Sequence, residues 1–521
     1  MAVLTPADYI HHVLRAPVDL LWNGGIGTYV KASGETHADV GDRANDAVRV
    51  DGSQVRATCA GEGGNLGWTQ LARVEYARGG GRINTDFIDN SAGVDTSDHE
   101  VNIKILLAEQ IRAGRMTPAE RDVLLPQMTD DVAALVLAHN VDQNRALGNA
   151  VAQAIPYAGV HEDWMRVLEA AGYLDRRVEY MPSSAEMRRR IAAGEGLYGP
   201  ELATLLAWTK IRLADIVLDS DLPDDPYLAD RLIQYFPPLL RERFRDYMPN
   251  HRLHREIITT VAVNRFVNSQ GISSYHRLAS DTGATAADVI RAQLAARAVF
   301  GAGQIEVQAA RAQLGSAVQT QVRVALRSLV ERGTRWVIRH VKAPVDVPST
   351  VERYGERTRE LLASVRTLLT PEGRAQFEAE VDRWRERGVS DDLADLLAAT
   401  VVGDLLPGIV AIADERSVGA EEAARAFFSV RQRLGLDRLS RAADGLPQHD
   451  RWSLMAQSAT RDELLDLQFR LAAQALTGEP PPDAPAVEPP DVAMLRQLAA
   501  GEPDLARLSV ALRVLRSMLR A

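Results

Sequence analysis

A change of pattern near residue 117 constrains this chain more than any other feature. Before it, short apolar runs of strand length stop at loops rich in glycine and short polar side chains. After it, apolar residues recur every three or four positions for about 400 residues, broken by Pro and Gly, a spacing that lines one face of a helix. The first pattern predicts an α/β unit and the second a long all-helical region, so the chain should be mostly helical overall.

Within the first part, residues 6–15 read as a helix capped by Thr5. Residues 18–22 read as a strand ending at Asn23-Gly24-Gly25, and residues 39–48 as a helix. Residues 54–60 are a second strand, leaving through the glycine-rich loop 61–67. Residues 69–77 are a helix stopped by 79–81, and 82–88 a third short strand. Residues 90–94 turn the chain, and Thr96, Ser97 or Asp98 caps the next helix. Strands that repeatedly end in glycine-rich loops are where open α/β sheets bind ligands, so residues 1–115 are expected to be a partial Rossmann-like nucleotide-binding unit. A helical domain over 116–478, a Pro-rich linker over 479–490 and terminal helices over 491–521 should follow, with no regular repeat.

With 521 residues and 46% hydrophobic content the chain can bury a sizeable core in two to four domains. A net charge of -10 argues against nucleic acid or an anionic membrane as partner, and no apolar run approaches twenty residues, so no membrane span is expected. The N-terminus lacks a signal-peptide pattern and reads as unprocessed. The single cysteine, Cys59, rules out a disulfide framework within a monomer and fits a reducing cytoplasm. Lysine occurs only at positions 31, 104, 210 and 342, so chemistry that needs an amine must use one of these four or lie outside the chain.

The densest functional text is residues 61–107, GEGGNLGWTQLARVEYARGGGRINTDFIDNSAGVDTSDHEVNIKILL. Three segments, 23–28, 61–69 and 90–97, read as successive strand ends lining a crevice. Glycines permit close backbone approach, free N–H groups favour carboxylate or phosphate, and the carboxamides of Asn65 and Asn90 both donate and accept. Tight turns and helix caps account for the same residues, and spacing alone does not separate the two readings. Neither Gly25-Ile26-Gly27 nor Gly61-Glu62-Gly63 completes a dinucleotide fingerprint, because Val30 and Leu66 stand where its third glycine belongs, and no lysine follows a phosphate-type loop.

The runs VDLLWNGGIGTYVKAS, GEGGNLGWTQ and GRINTDFIDNSAGVDTSDHEVNIKILL resemble the C-terminal part of the catalytic region in the large bacterial NAD-dependent glutamate dehydrogenases. HREIITTVAVNRFVN and LPDDPYLADRLIQYFPPLLRERF resemble that family's C-terminal helical domain. Shorter glutamate dehydrogenases are a more distant match: their Gly-Ala-Asn stretch is similar to Gly63-Gly64-Asn65, and their Asn-Ala-Gly-Gly-Val stretch to Asn90-Ser91-Ala92-Gly93-Val94. The resemblance implies oxidative deamination of L-glutamate to 2-oxoglutarate and ammonium with NAD as cofactor. It implies cofactor binding by Asn23, Gly24, Gly25, Gly63, Gly64, Asn65 and Asn90, with the nicotinamide end at the two asparagines Asn65 and Asn90, and substrate contact by Ser97. This chain departs from the pattern in Gly67-Trp68-Thr69, where the shorter enzymes have Pro-Thr-Thr, and in the acidic Asp95 after Val94. The substrate domain, the phosphate-binding turn and the catalytic lysine of that enzyme class find no match. The expectation is therefore a truncated or split dehydrogenase, inactive alone, that works as a homo-oligomer or with a complementing N-terminal half. The alternative is a noncatalytic helical interaction or regulatory module with a vestigial crevice.

Four further features are read blandly. Asp95 and His99 share a helix face, but with no converging partner in view they read as helix-start residues and no metal is assigned. Lys31 is the best in-chain anion contact yet reads as solvent-exposed, and Arg188-Arg189-Arg190 reads as a solvated basic face. DTGATAADVIRAQLAAR at 281–297 has the outline of a helix-turn-helix but too little positive charge, so packing between two helices is expected.

Overall fold

A computed structural model describes residues 4–446, 451–477, 489–500 and 504–519; the expected Pro-rich linker falls mostly outside these. The described chain is mostly helical and divides into two compact units, Met1–Arg277 and Leu278–Ala521.

The first unit opens with helix α1 (Pro6–Leu14), whose N-cap Thr5 accepts a hydrogen bond from the Asp8 N–H. Strand β1 (Leu20–Asn23) follows, then β2 (Val30–Lys31), helix α2 (His37–Val40), β3 (Val50–Asp51) and β4 (Cys59–Glu62). The strands form two separate parallel pairs: β1 with β4, in the register Leu20 to Cys59 through Asn23 to Glu62, and β2 with β3. Single parallel bridges add Trp68 beside Val30 and Arg82 beside Cys59. The expected helix over 39–48 is cut short because Gly41 turns left-handed (φ 76°). The expected second strand begins only at Cys59, because Gly52–Gln54 coil into a 3-10 turn. The expected third strand over 82–88 is reduced to the bridge at Arg82, since helix α4 (Asp86–Asp89) takes over.

Helix α3 (Gln70–Arg78) is capped by Thr69 and packs Ala72 and Tyr76 into a small core with Val30, Val50, Val55, Ala60, Trp68 and Ile83. The Tyr76 hydroxyl donates to the Ala57 carbonyl at 2.6 Å, tying the helix to the segment that leads into β4. Helix α5 (Ser91–Arg112) begins directly after α4, with Asn90 closing one and opening the other. Thr96, Ser97 and Asp98 thus lie inside a continuous helix instead of capping it, and the Thr96 hydroxyl donates back to the Ala92 carbonyl at 2.7 Å. Helices α6 (Pro118–Leu124), α7 (Thr129–Ala152), α8 (Ala158–Ala170), α9 (Ser184–Ala192), α10 (Gly199–Leu218), α11 (Ala229–Tyr235), α12 (Pro238–Phe244) and α13 (His254–Gln270) complete the unit. Helix α7 packs on α4, α5 and α10, and α10 also meets α3.

In the second unit, helix Ala286–Val299 is buried on nearly every side between Ser316–His340 and Val347–Leu368. Arg291 and Gln293 are buried too, so this segment has no free face to lay in a groove and the packing expectation stands. Helices Ala420–Arg433, Leu436–Asp444, Arg451–Ala475, Pro490–Ala499 and Leu505–Met518 enclose a leucine-rich core that includes Leu434, Leu439, Leu467, Leu495 and Leu515. Among the described residues no single helix is long and apolar enough to cross a membrane. The bent pair Asp391–Gly403 and Leu406–Arg416 has the composition for it, but Leu393, Leu397, Leu406, Ile409 and Val410 are buried in the unit's own interior.

Candidate functional site

Parallel pairing of β1 with β4 places their carboxyl ends, and the loops that leave them, side by side. The Asn23 carbonyl accepts from the N–H groups of Gly63 (2.8 Å) and Gly64 (3.2 Å), while its side-chain oxygen accepts from the Gly25 N–H at 3.1 Å. The Asn90 carboxamide donates to the Asn65 side-chain oxygen at 2.6 Å and reaches the Gly64 carbonyl at 3.5 Å. Asn23, Gly24, Gly25, Gly63, Gly64, Asn65 and Asn90, far apart in sequence, therefore meet in one place. Gly24, Gly25, Gly63 and Asn65 are exposed there. Ser97 is exposed two turns into α5, on a helix and not at a strand end, so the third crevice segment has a different origin from the one expected.

Packing explains much of the glycine content. A Cβ at position 61 or 63 would stand 2.7 or 2.8 Å from the Trp22 ring, which lies along β4, and one at 64 would stand 2.6 Å from the Gly25 carbonyl oxygen. Gly67 leaves room for the Asn23 carboxamide. These glycines let two loops touch, and the polar groups left at the surface there are the carboxamides of Asn65 and Asn90 and the backbone of 24, 25 and 63.

Sequence reasoning missed the charged frame beneath this loop. Glu62, fully buried, accepts from Arg73 at 2.7 and 3.0 Å and from the Trp68 N–H at 3.0 Å. Asp86 accepts from the Leu66 N–H at 2.8 Å, and Asp89 from the Glu62 N–H at 3.0 Å and from Asn84 at 3.0 Å. The loop between Glu62 and Trp68 is thus held at both ends and the middle, which sustains the left-handed Leu66 (φ 55°). Burial pushes the Glu62 carboxyl above its usual range, Arg73 opposing and Asp86 adding to the shift; burial raises Asp89 likewise. A glutamate closing the small-residue strand Cys59–Glu62 is the signal from which such a pair can be suspected.

Helix α7 buttresses the wall that carries Asn90. Asn140 donates to the Ile88 carbonyl (2.9 Å) and to the Ser91 hydroxyl (3.0 Å), and Asn84 donates to the Asn144 side-chain oxygen at 2.8 Å. Deeper along α5, Asp98 accepts from the Tyr235 hydroxyl at 2.8 Å, which in turn accepts from Asn102 at 2.8 Å. Lys210 on α10 contacts Gln143 at 3.4 Å; burial pulls its ammonium down to about 8, while Asp142 and Asp95 act to raise it.

Two basic positions differ from expectation. Lys31 is buried and ion-paired with Asp51, so it neither faces solvent nor is free for a ligand anion. Arg190 is buried against Glu201 at 2.8 and 3.0 Å, so only part of that basic run is a solvated face.

Two loops thus meet at the carboxyl ends of one parallel strand pair, but the strands form only two small two-stranded sheets, so the Rossmann-like unit expected over residues 1–115 is not clearly formed among the described residues. Residues 1–150 match the family model for the bacterial NAD-glutamate dehydrogenase catalytic domain, and residues 194–517 match that for the glutamate dehydrogenase C-terminal region. The chain belongs to the large bacterial NAD-dependent glutamate dehydrogenase family. It is 43% identical to the NAD-specific glutamate dehydrogenase of Mycobacterium tuberculosis over 532 aligned residues, covering 100% of this chain and 33% of that protein. With the proteins of the same name from Pseudomonas aeruginosa and Halomonas elongata it shares 44% and 38% identity, over 88% and 91% of this chain and 29% of each relative. The chain thus spans about a third of the length of the curated relatives it matches.

Proposed function

We propose that this chain supplies the distal half of an NAD-binding domain, over about residues 1–115, together with the helical C-terminal domain of a glutamate dehydrogenase. In this reading it helps to convert L-glutamate and NAD into 2-oxoglutarate and ammonium. The observation that carries the proposal is the convergence of Asn65 and Asn90, 2.6 Å apart, over the exposed backbone of two parallel-strand exits. A carboxamide pair of this kind complements the carboxamide of a nicotinamide, so the residues present fit that end of the cofactor. Asn23 sets the turn, Gly24, Gly25, Gly63 and Gly64 allow close approach, and Ser97 receives the distal carboxylate of glutamate. NAD, when bound, accepts the hydride from the substrate α-carbon; the chain's task is to orient the two and exclude water. The phosphate-binding turn and the amine that handles the proton are not among this chain's motifs, so they come from elsewhere in the working enzyme, a homo-oligomer or a complex with a complementing half, in the cytoplasm.

Calorimetry with NAD tests the proposal, on the chain alone and mixed with a protein that supplies the remaining two thirds of a relative, with glutamate turnover followed in parallel. Binding and turnover in the mixture, none by the chain alone, and at least a roughly tenfold loss of NAD affinity with Asn65→Ala or Asn90→Ala are expected. Absence of binding in both settings refutes the reading and leaves a noncatalytic helical module.

A further inference from the structure

We propose that Asp95, His99 and His139 form a binding site for one divalent transition-metal ion of the Zn2+ type. Asp95 and His99 stand one turn apart on α5, and His139 comes from α7, the converging partner invisible in sequence. One ligand atom from each residue lies within 4.8 Å of the others: Asp95 Oδ1 is 3.9 Å from His99 Nε2, and Asp95 Oδ2 is 2.8 Å from His139 Nδ1. Tetrahedral zinc with bonds of about 2.0–2.1 Å sets its ligand atoms roughly 3.3 Å apart; the two distances from the Asp95 oxygens lie on either side of that value, and the half-exposed His139 ring, stacked on His99 with centroids 5.7 Å apart, is the side chain that must turn to close the set. Two imidazoles and a carboxylate are the donor types that borderline divalent ions select, and they leave one position for water.

His99 supplies an independent observation. It is fully buried, and neither of its ring nitrogens has a hydrogen-bond partner. A neutral imidazole buried in this way leaves both a lone pair and an N–H unmet, which buried polar groups rarely do. The contact of His139 with Asp95 accounts for those two residues but not for His99, whose Nε2, the nitrogen 3.9 Å from Asp95, an ion there would serve. The Tyr235 ring, stacked on His99 with centroids 4.3 Å apart, fixes the imidazole plane. The Asp95 and His139 side chains are partly exposed, which gives an ion a route in from solvent. Lys210 adds opposing positive charge near Asp95, against which the site must bind. An ion here clamps α5 to α7 beside the Asn140 contacts to Ile88 and Ser91, and so stiffens the wall that carries Asn90. The inference stands on this geometry and is independent of the dehydrogenase reading.

The test uses the untagged 521-residue chain, stripped with a chelator and titrated with Zn2+ by calorimetry, with Co2+ absorption reporting coordination. One ion per chain and a higher melting temperature with Zn2+ are expected. His139→Ala, at a half-exposed position, and Asp95→Asn should each weaken binding at least about tenfold without changing the metal-free melting temperature, while His12→Ala binds as the parent does. Absence of stoichiometric Zn2+ binding, or binding that His139→Ala and Asp95→Asn leave undiminished, overturns the proposal.

Discussion

Replacing Arg73 with Met leaves the Glu62 carboxylate buried without its counter-charge, directly beneath the loop that carries Asn65. In the parent chain three hydrogen bonds reach that carboxylate, two from Arg73 (2.7 and 3.0 Å) and one from the Trp68 N–H (3.0 Å); Arg73→Met keeps only the last. Removing one partner of a fully buried pair costs about 3–5 kcal/mol. For a unit of this size each kcal/mol lowers the melting temperature by roughly 2–4 °C, so a drop on the order of 6–20 °C is expected by circular dichroism. The pH dependence has a definite sign. Burial already raises the Glu62 carboxyl and Arg73 opposes the shift, so the variant raises it further. A carboxyl that holds its proton better folded than unfolded makes stability fall as pH rises through the folded pKa, and the deficit should therefore shrink as pH is lowered. The double variant Glu62→Gln/Arg73→Met removes the orphaned charge and should recover most of the loss. A deficit under about 1 kcal/mol in Arg73→Met, unchanged by pH and not relieved in the double variant, would refute the reasoning.

Three other outcomes follow from the packing. Gly64→Ala forces a Cβ to within 2.6 Å of the Gly25 carbonyl oxygen, so a loss of about 1–3 kcal/mol and faster amide exchange over residues 23–27 are expected. Lys210→Met removes a buried ammonium whose pKa is pulled from 10.5 to about 8; it should stabilise the chain at pH 7 by up to about 3 kcal/mol in urea titrations. That gain should fade between pH 8 and 10.5, as the parent's folded and then unfolded lysine loses its proton. Gly408→Ala improves helix propensity by about 1 kcal/mol yet sets a Cβ 2.2 Å from the Phe469 ring. Net destabilisation in thermal melts is expected, with Phe469→Leu restoring most of it.

Features set by neighbours a few residues away were legible in the chain. Thr5 caps α1 as its spacing predicts, because a cap depends on the three residues that follow it, whereas Thr69, expected as the first residue of its helix, caps α3 instead. The crossing from glycine-punctuated strands to helices was equally visible, since hydrophobic period is a local property. The start of α5 was misread because Gly93 and the polar residues around it have weak helix propensity. Asn90 nonetheless links α4 to α5 with hardly a break, and α7 braces the junction through Asn140.

Burial, by contrast, depended on partners distant in sequence. Lys31 and Arg190 looked like surface residues until Asp51 and Glu201 were brought against them. The seven residues expected to bind cofactor were nameable one by one, but only the parallel pairing of β1 with β4 set Asn23 against Gly63 and Gly64. Asp95 and His99 shared a helix face from the start, whereas His139 lies 44 positions beyond Asp95 and reached it only when α7 packed on α5. The sequence by itself therefore determined the helical pattern of most of the chain, the Thr5 cap and the family, because torsional preference and hydrophobic period act over a few residues, while the short strands and the start of α5 were settled by packing. Which charges are paired, which histidines converge and which loops touch were decided only in three dimensions, because those contacts form only once folding has closed the long loops between them.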